Sequence, residues 1–132
     1  MVLQSRLEAA SQFLEGAKAL RDAGDYAGVI SRCYYAAYQA MWAALGEPTN
    51  KRRWEHIGII QSFVRGRWDN PTYSRTGPGL YEQFRFPLRR LYDLRLRVDY
   101  HVEPMTLEIA NWALDMTQEL IKTIGTIERR TS

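Results

Sequence analysis

The stretch Tyr26-Ala27-Gly28-Val29-Ile30-Ser31-Arg32-Cys33-Tyr34-Tyr35-Ala36-Ala37-Tyr38-Gln39-Ala40-Met41-Trp42-Ala43-Ala44-Leu45 decides how the rest of the chain is read. Tyr26, Val29, Ile30, Cys33, Tyr34, Ala37, Met41 and Leu45 recur at the spacing of one broad helical face. Ala36, Ala40, Ala43 and Ala44 keep much of the remaining surface small. Asp25 is placed to cap the start, and Gly46-Glu47-Pro48-Thr49-Asn50 breaks the chain afterwards. A helix that is apolar nearly all round belongs where other helices, or a second subunit, cover most of its sides.

Working outward, residues 2–22 read as a helix with Leu3, Leu7, Ala10, Leu14 and Ala17 in its stripe and Gly24 as terminator. A third helix is expected over 52–67, with Trp54, Ile57, Ile60, Phe63 and Val64 inward. Residues 69–79 form the longest loop; its Tyr73, Ser74 and Arg75 either contact a ligand or sit in a mobile connection. A fourth helix runs from Leu80 to about Tyr100, and Pro87 either kinks it or opens its regular part. Glu103 before Pro104 forces a turn over residues 101–105, and Thr106 caps a last helix reaching Ile124. There is no strand-period segment and no internal repeat. The expected fold is all-α: an antiparallel up-and-down bundle of four long helices with room for a short fifth, in a single domain over residues 1–132.

Composition bounds the function. The chain is 45% apolar and long enough for one core. Its single cysteine, Cys33, cannot form an intrachain disulfide, and no metal-ligand cluster or cofactor motif is present. No leader-like or membrane-spanning run occurs, so a soluble cytoplasmic protein is expected. Residues 51–97 carry eleven basic and four acidic side chains, a net +7 within a chain of net +3, and fifteen of the eighteen basic residues are arginine. That basic middle suits a nucleic acid or acidic partner, or else is a solvated surface.

The densest run of polar chemistry ends the fourth helix: Leu91-Tyr92-Asp93-Leu94-Arg95-Leu96-Arg97-Val98-Asp99-Tyr100-His101. At about 100° per residue, Arg95 falls in the inner stripe with Leu80, Phe84, Leu88, Leu91 and Val98, while Arg97 falls on the outer side near Arg90. A guanidinium in an apolar stripe is costly unless paired, and Asp99 lies one turn on. The pair is either a clamp for the end of the bundle or part of a site. His101 lies about 120° from Arg95 on a continuous helix. It joins Arg95 only if the helix ends first, or if a second subunit supplies one of the two. Arg32 with Tyr34, Tyr35 and Tyr38 offers a polar seam against the fourth helix or simple core packing. His56, after Lys51-Arg52-Arg53, offers a phosphate contact or a packing residue.

Ser31-Arg32-Cys33-Tyr34-Tyr35-Ala36-Ala37-Tyr38, His56-Ile57-Gly58-Ile59-Ile60 with Phe63, and Arg95-Leu96-Arg97-Val98-Asp99-Tyr100 together resemble the HEPN domain, closest to its small stand-alone prokaryotic branch. The resemblance implies a helical domain that is often a metal-independent ribonuclease, with four to six residues between an arginine and a histidine at a homodimer interface. Arg95 and His101, with five residues between them, fit that spacing. It implies His101 as general acid or base and Arg95 as stabiliser of phosphoryl charge, supported by Asp99, Tyr100, Arg32 and Tyr35. Arg52, Arg53, His56, Arg90 and Arg97 are the weaker candidates for nucleic-acid contact. The implied partners are a second copy, RNA, and a nucleotidyltransferase antitoxin, with no membrane. The tyrosine that such antitoxins modify with AMP in some members is Glu103 here. Without catalysis, the same resemblance implies a module binding a nucleotidyltransferase, RNA or nucleotide.

Overall fold

The computed structural model describes residues 2–49, 52–66, 68–69 and 79–129. Their order is α1 (Gln4–Asp22), α2 (Tyr26–Leu45), α3 (His56–Arg65), β1 (Trp68–Asp69), α4 (Leu80–His101), α5 (Leu107–Ile124) and β2 (Glu128–Arg129). This is an all-α bundle of four long helices and one short one. The two-residue strands form one antiparallel pairing, Trp68 opposite Arg129 and Asp69 opposite Glu128, which no period-2 pattern announces. The expected loop contacts Tyr73, Ser74 and Arg75, and Lys51, lie outside the described residues.

α2 is the axis of the molecule. It packs against each of the other four helices, and thirteen of its twenty residues are buried. Its ends are set by local chemistry. The Asp25 carboxylate accepts from the Gly28 N–H at 2.9 Å, satisfying one orphan donor of the first turn. At the other end Gly46 takes φ 82°, a left-handed value that a side chain would oppose. The Leu3 N–H donates to the Ala43 carbonyl at 2.9 Å, tying the start of α1 to the end of α2, so these two helices run antiparallel. Tyr34, Ile30 and Met41 of α2 join Phe63, Phe84, Leu88, Leu91 and Leu120 among the largest fully buried side chains. Each such side chain contributes about 1.5–3 kcal/mol by leaving water.

Two local expectations change. α3 begins at His56 rather than at residue 52, because Trp54 is committed before it. The Trp54 indole N–H donates to the Gly46 carbonyl at 2.9 Å, and its carbonyl accepts from the Tyr38 hydroxyl. That register turns His56, Ile59, Ile60 and Phe63 inward and leaves Ile57 42% exposed, where it was expected in the core. α4 stays helical through Pro87 and continues to His101. The missing Pro87 N–H costs the helix one bond to the Gln83 carbonyl.

At its C-terminus α4 closes on Val102, at φ 50° and ψ 39°, with the Val102 and Glu103 N–H groups both donating to the Arg97 carbonyl. Among the non-glycine described residues Val102 alone has positive φ. A β-branched side chain is strained there. Thr106 then caps α5, accepting from the Ile109 N–H at 3.2 Å, as its sequence position predicts.

Candidate functional site

Arg95 sits where the helical wheel puts it, in the buried stripe of α4, and is 7% exposed. Its Nε lies 3.0 Å from Asp99 Oδ2, a close ion pair, yet is not aligned for a hydrogen bond and has no hydrogen-bond partner among the described residues. The terminal nitrogen donates instead to the Tyr35 hydroxyl at 3.1 Å. The guanidinium carbon stands 5.2, 5.6 and 5.6 Å from the ring centres of Tyr34, Tyr35 and Tyr100. Asp99 is held in turn by the Ser31 hydroxyl at 2.6 Å. Burial by itself would favour a neutral guanidine; the Tyr35 hydrogen bond and then the Asp99 charge outweigh it, so Arg95 stays cationic. The result is a buried cation with an aromatic lining, joining α2 to α4.

The cluster extends to His56, for which the sequence left a packing role or a phosphate contact open. His56 Nδ1 lies 2.6 Å from the Tyr34 hydroxyl, and its ring packs 5.5, 5.1 and 6.1 Å from those of Tyr34, Tyr38 and Tyr92. Burial and then the Arg95 charge lower the His56 pKa, so the ring is neutral near pH 7. Burial raises the Tyr34 phenol well above its ordinary range. The protonated phenol has no other acceptor among the described residues, so it donates to Nδ1 and leaves the imidazole proton on Nε2. A cavity of about 260 Å³ opens beside this histidine, lined by Tyr38, Trp42, Trp54 and Arg53. The signal in the sequence was the His56, Ile59, Ile60, Phe63 spacing, legible only once α3 is known to start at His56.

The other candidates divide. Tyr35, Asp99 and Tyr100 are in the cluster. Arg32 is not: it is exposed, turned toward α1 with its guanidinium 5.9 Å from the Phe13 ring. His101 ends α4 on the exposed side and is not among the contacts of Arg95. Because α4 does not end before His101, the two remain about 120° apart within one chain. Arg97 is exposed, 3.8 Å from Glu103; Arg90 stacks 4.2 Å over Trp112 of α5; Arg52 and Arg53 precede α3 on the surface. These five weak candidates, Arg52, Arg53, His56, Arg90 and Arg97, therefore form no single surface. Cys33 is fully buried and its thiol is pushed up to about 12 by burial, so it is not a poised nucleophile. Among the described residues no three His, Cys, Asp or Glu side chains group as metal ligands, and no helix is long and apolar enough to cross a membrane.

α2, enclosed by the other helices, brings Ser31, Tyr34 and Tyr35 against the inward Arg95–Asp99 pair of α4, while Arg32 faces α1. The family model of the HEPN domain matches residues 3–127. The chain belongs to the HEPN family. Tyr35 of the α2 motif and Arg95 of the α4 motif thus meet across the α2–α4 contact of a HEPN bundle. No curated protein matches this HEPN chain closely.

Proposed function

We propose that this HEPN protein is a homodimeric, metal-independent endoribonuclease, the toxin of a toxin–antitoxin or defence pair in the cytoplasm. Arg95 and His101 would come from different copies. The observation that carries the reading is the end of α4: Tyr100 is 66% and Val102 85% exposed, flanking His101, nearly two turns beyond a buried arginine. Apolar side chains left in water at a strained helix end gain most from cover by another protein surface, and HEPN proteins often dimerise.

In such a pair His101 accepts the proton of a ribose 2′-OH as that oxygen attacks the adjacent phosphorus. Arg95 balances the charge gathering on the phosphoryl oxygens. The P–O5′ bond breaks, leaving a 2′,3′-cyclic phosphate and a 5′-hydroxyl once the leaving oxygen is protonated. The test is cleavage of single-stranded RNA in EDTA by the purified protein and by Arg95→Ala and His101→Ala. Loss of cleavage in both, with the fold retained, supports the assignment; cleavage persisting in either removes it.

A second reading has its own observation. Arg95 already has Asp99 at 3.0 Å and Tyr35 at 3.1 Å, which suits a clamp more than a phosphate ligand. The protein would then be a non-catalytic HEPN module for a nucleotidyltransferase partner, RNA or nucleotide. It predicts a folded wild-type protein that leaves RNA intact, and an Arg95→Ala variant that is chiefly unstable.

A further inference from the structure

α3 and α4 leave a groove between them on the side of α4 away from α2. Tyr81, Arg85, Arg89 and Asp93 form one i, i+4 row along α4, spanning roughly 18 Å, and Arg65 reaches in from α3 around a cavity of about 380 Å³. The Arg85 guanidinium is fixed by its neighbours. It bonds to the Tyr81 hydroxyl and stands 4.7 Å from the Tyr81 ring centre and 4.3 Å from that of Phe86. Phe86 is 69% exposed and offers its other face to solvent. Among the described residues no carboxylate is within ion-pair reach of Arg65, Arg85 or Arg89. Asp93 is the lone acidic group of the lining, so the groove carries a net +2.

From this we infer that the α3–α4 groove is a track for single-stranded RNA, with Arg65, Arg85 and Arg89 holding phosphates and Phe86 stacking a base. Charge and surface type select this occupant. The apolar surface still open is aromatic and flat, which fits base faces. The aliphatic floor, Ile60 and Val64, is already buried and offers no ridge to an acidic protein helix. The row ends at Asp93, about 160° from Arg95 around the helix, so a strand lying along it runs toward the end of α4 on the face opposite Arg95. The track rests on the ribonuclease reading for its purpose, but not for its existence.

The experiment is fluorescence anisotropy of a labelled mixed-sequence single-stranded RNA in EDTA, using full-length His101→Ala so that the probe is not consumed. Arg85→Glu with Arg89→Glu is expected to weaken binding at least tenfold while the circular-dichroism melt stays unchanged. Three phosphate contacts give a slope of log affinity against log salt of about −2, and each arginine removed lessens it by about 0.7. Phe86→Ala is expected to weaken binding by about five- to a hundred-fold. Asp93→Asn is expected to tighten it slightly. The track is overturned if wild-type affinity survives the double reversal, if the wild-type groove binds no RNA, or if an oligoglutamate peptide binds there in preference. Cleavage assays separate the two readings. Groove-dependent binding without cleavage keeps the track and sinks the ribonuclease, whereas cleavage with unchanged KM in Arg85→Glu/Arg89→Glu does the reverse.

Discussion

α4 presents two sets of arginines whose environments are opposite. Arg95 is buried, ion-paired to Asp99, bonded to Tyr35 and surrounded by three tyrosine rings. Six and ten residues earlier, Arg89 and Arg85 line an open groove without a carboxylate in reach among the described residues. An arginine whose donors are used within the fold supports the fold first. One with no carboxylate partner among the described residues still has charge and donors to offer a ligand. The same residue type on one helix thus serves two purposes, and its partners tell them apart.

The largest effect separating the two regions is expected from Arg95→Ala. It leaves Asp99 and Tyr35 without their cation, and should cost about 2–3 kcal/mol in a urea unfolding curve. That is less than the 3–5 kcal/mol of a fully buried pair, because the Asp99 side chain is 28% exposed. Arg85→Ala or Arg89→Ala should stay within about 0.5 kcal/mol of wild type in the same measurement. Equal losses at Arg89 and Arg95 would erase the distinction. A sharper version is Arg95→Met with Asp99→Leu. Removing both charges should recover most of the loss if Arg95 is a clamp, yet restore no cleavage if it is also catalytic.

Next in size is the Tyr34–His56 contact, where Tyr34→Phe should cost about 1 kcal/mol by removing a part-buried hydrogen bond. The same pair makes stability depend on pH. His56 is held neutral, with a folded pKa below its unfolded value near 6.5. Its contribution is therefore complete above that value and is lost as pH falls through the folded pKa. Thermal melts should show a decline below about pH 6.5 that is shallower in His56→Gln. A decline of unchanged slope would mean that His56 is not the group responsible. The smallest effect is at Cys33: with the thiol near 12 and fully buried, labelling by an alkylating reagent at pH 8 should require unfolding.

Much of the fold was legible because its signals are periodic or local. The apolar faces of α1, α2 and α5, the Asp25 and Thr106 caps and the inward turn of Arg95 all follow from helical spacing and cap chemistry. The start of α3 did not follow, because it is set by Trp54 reaching back to Gly46 and Tyr38, contacts between segments that no window of sequence contains. That one boundary carried a further error with it, Ile57 placed in the core, and it hid where the packing role open to His56 is played, beside Tyr34. Arg32 is a related case. Its place in the Ser31–Tyr38 motif suggested α4, but one residue of helix, about 100°, separates Ser31, which bonds to Asp99, from Arg32, which lies over Phe13. The groove of Arg85 and Arg89 was visible only as part of a basic middle segment, since its concavity needs α3 beside α4.

The central position of α2 also bears on how the chain reaches this state. Its first partner, α1, is the neighbouring segment, so a hairpin of α1 and α2 closes through short-range contacts and is expected to form early. The other sides of α2 wait for α4 and α5, which begin 35 and 62 residues after its last residue, Leu45. Until they arrive, Tyr34, Tyr38, Met41 and the alanines stand open on a half-covered helix. Refolding of this protein should accordingly be sensitive to its concentration, with association at that exposed face competing against the late docking of α5.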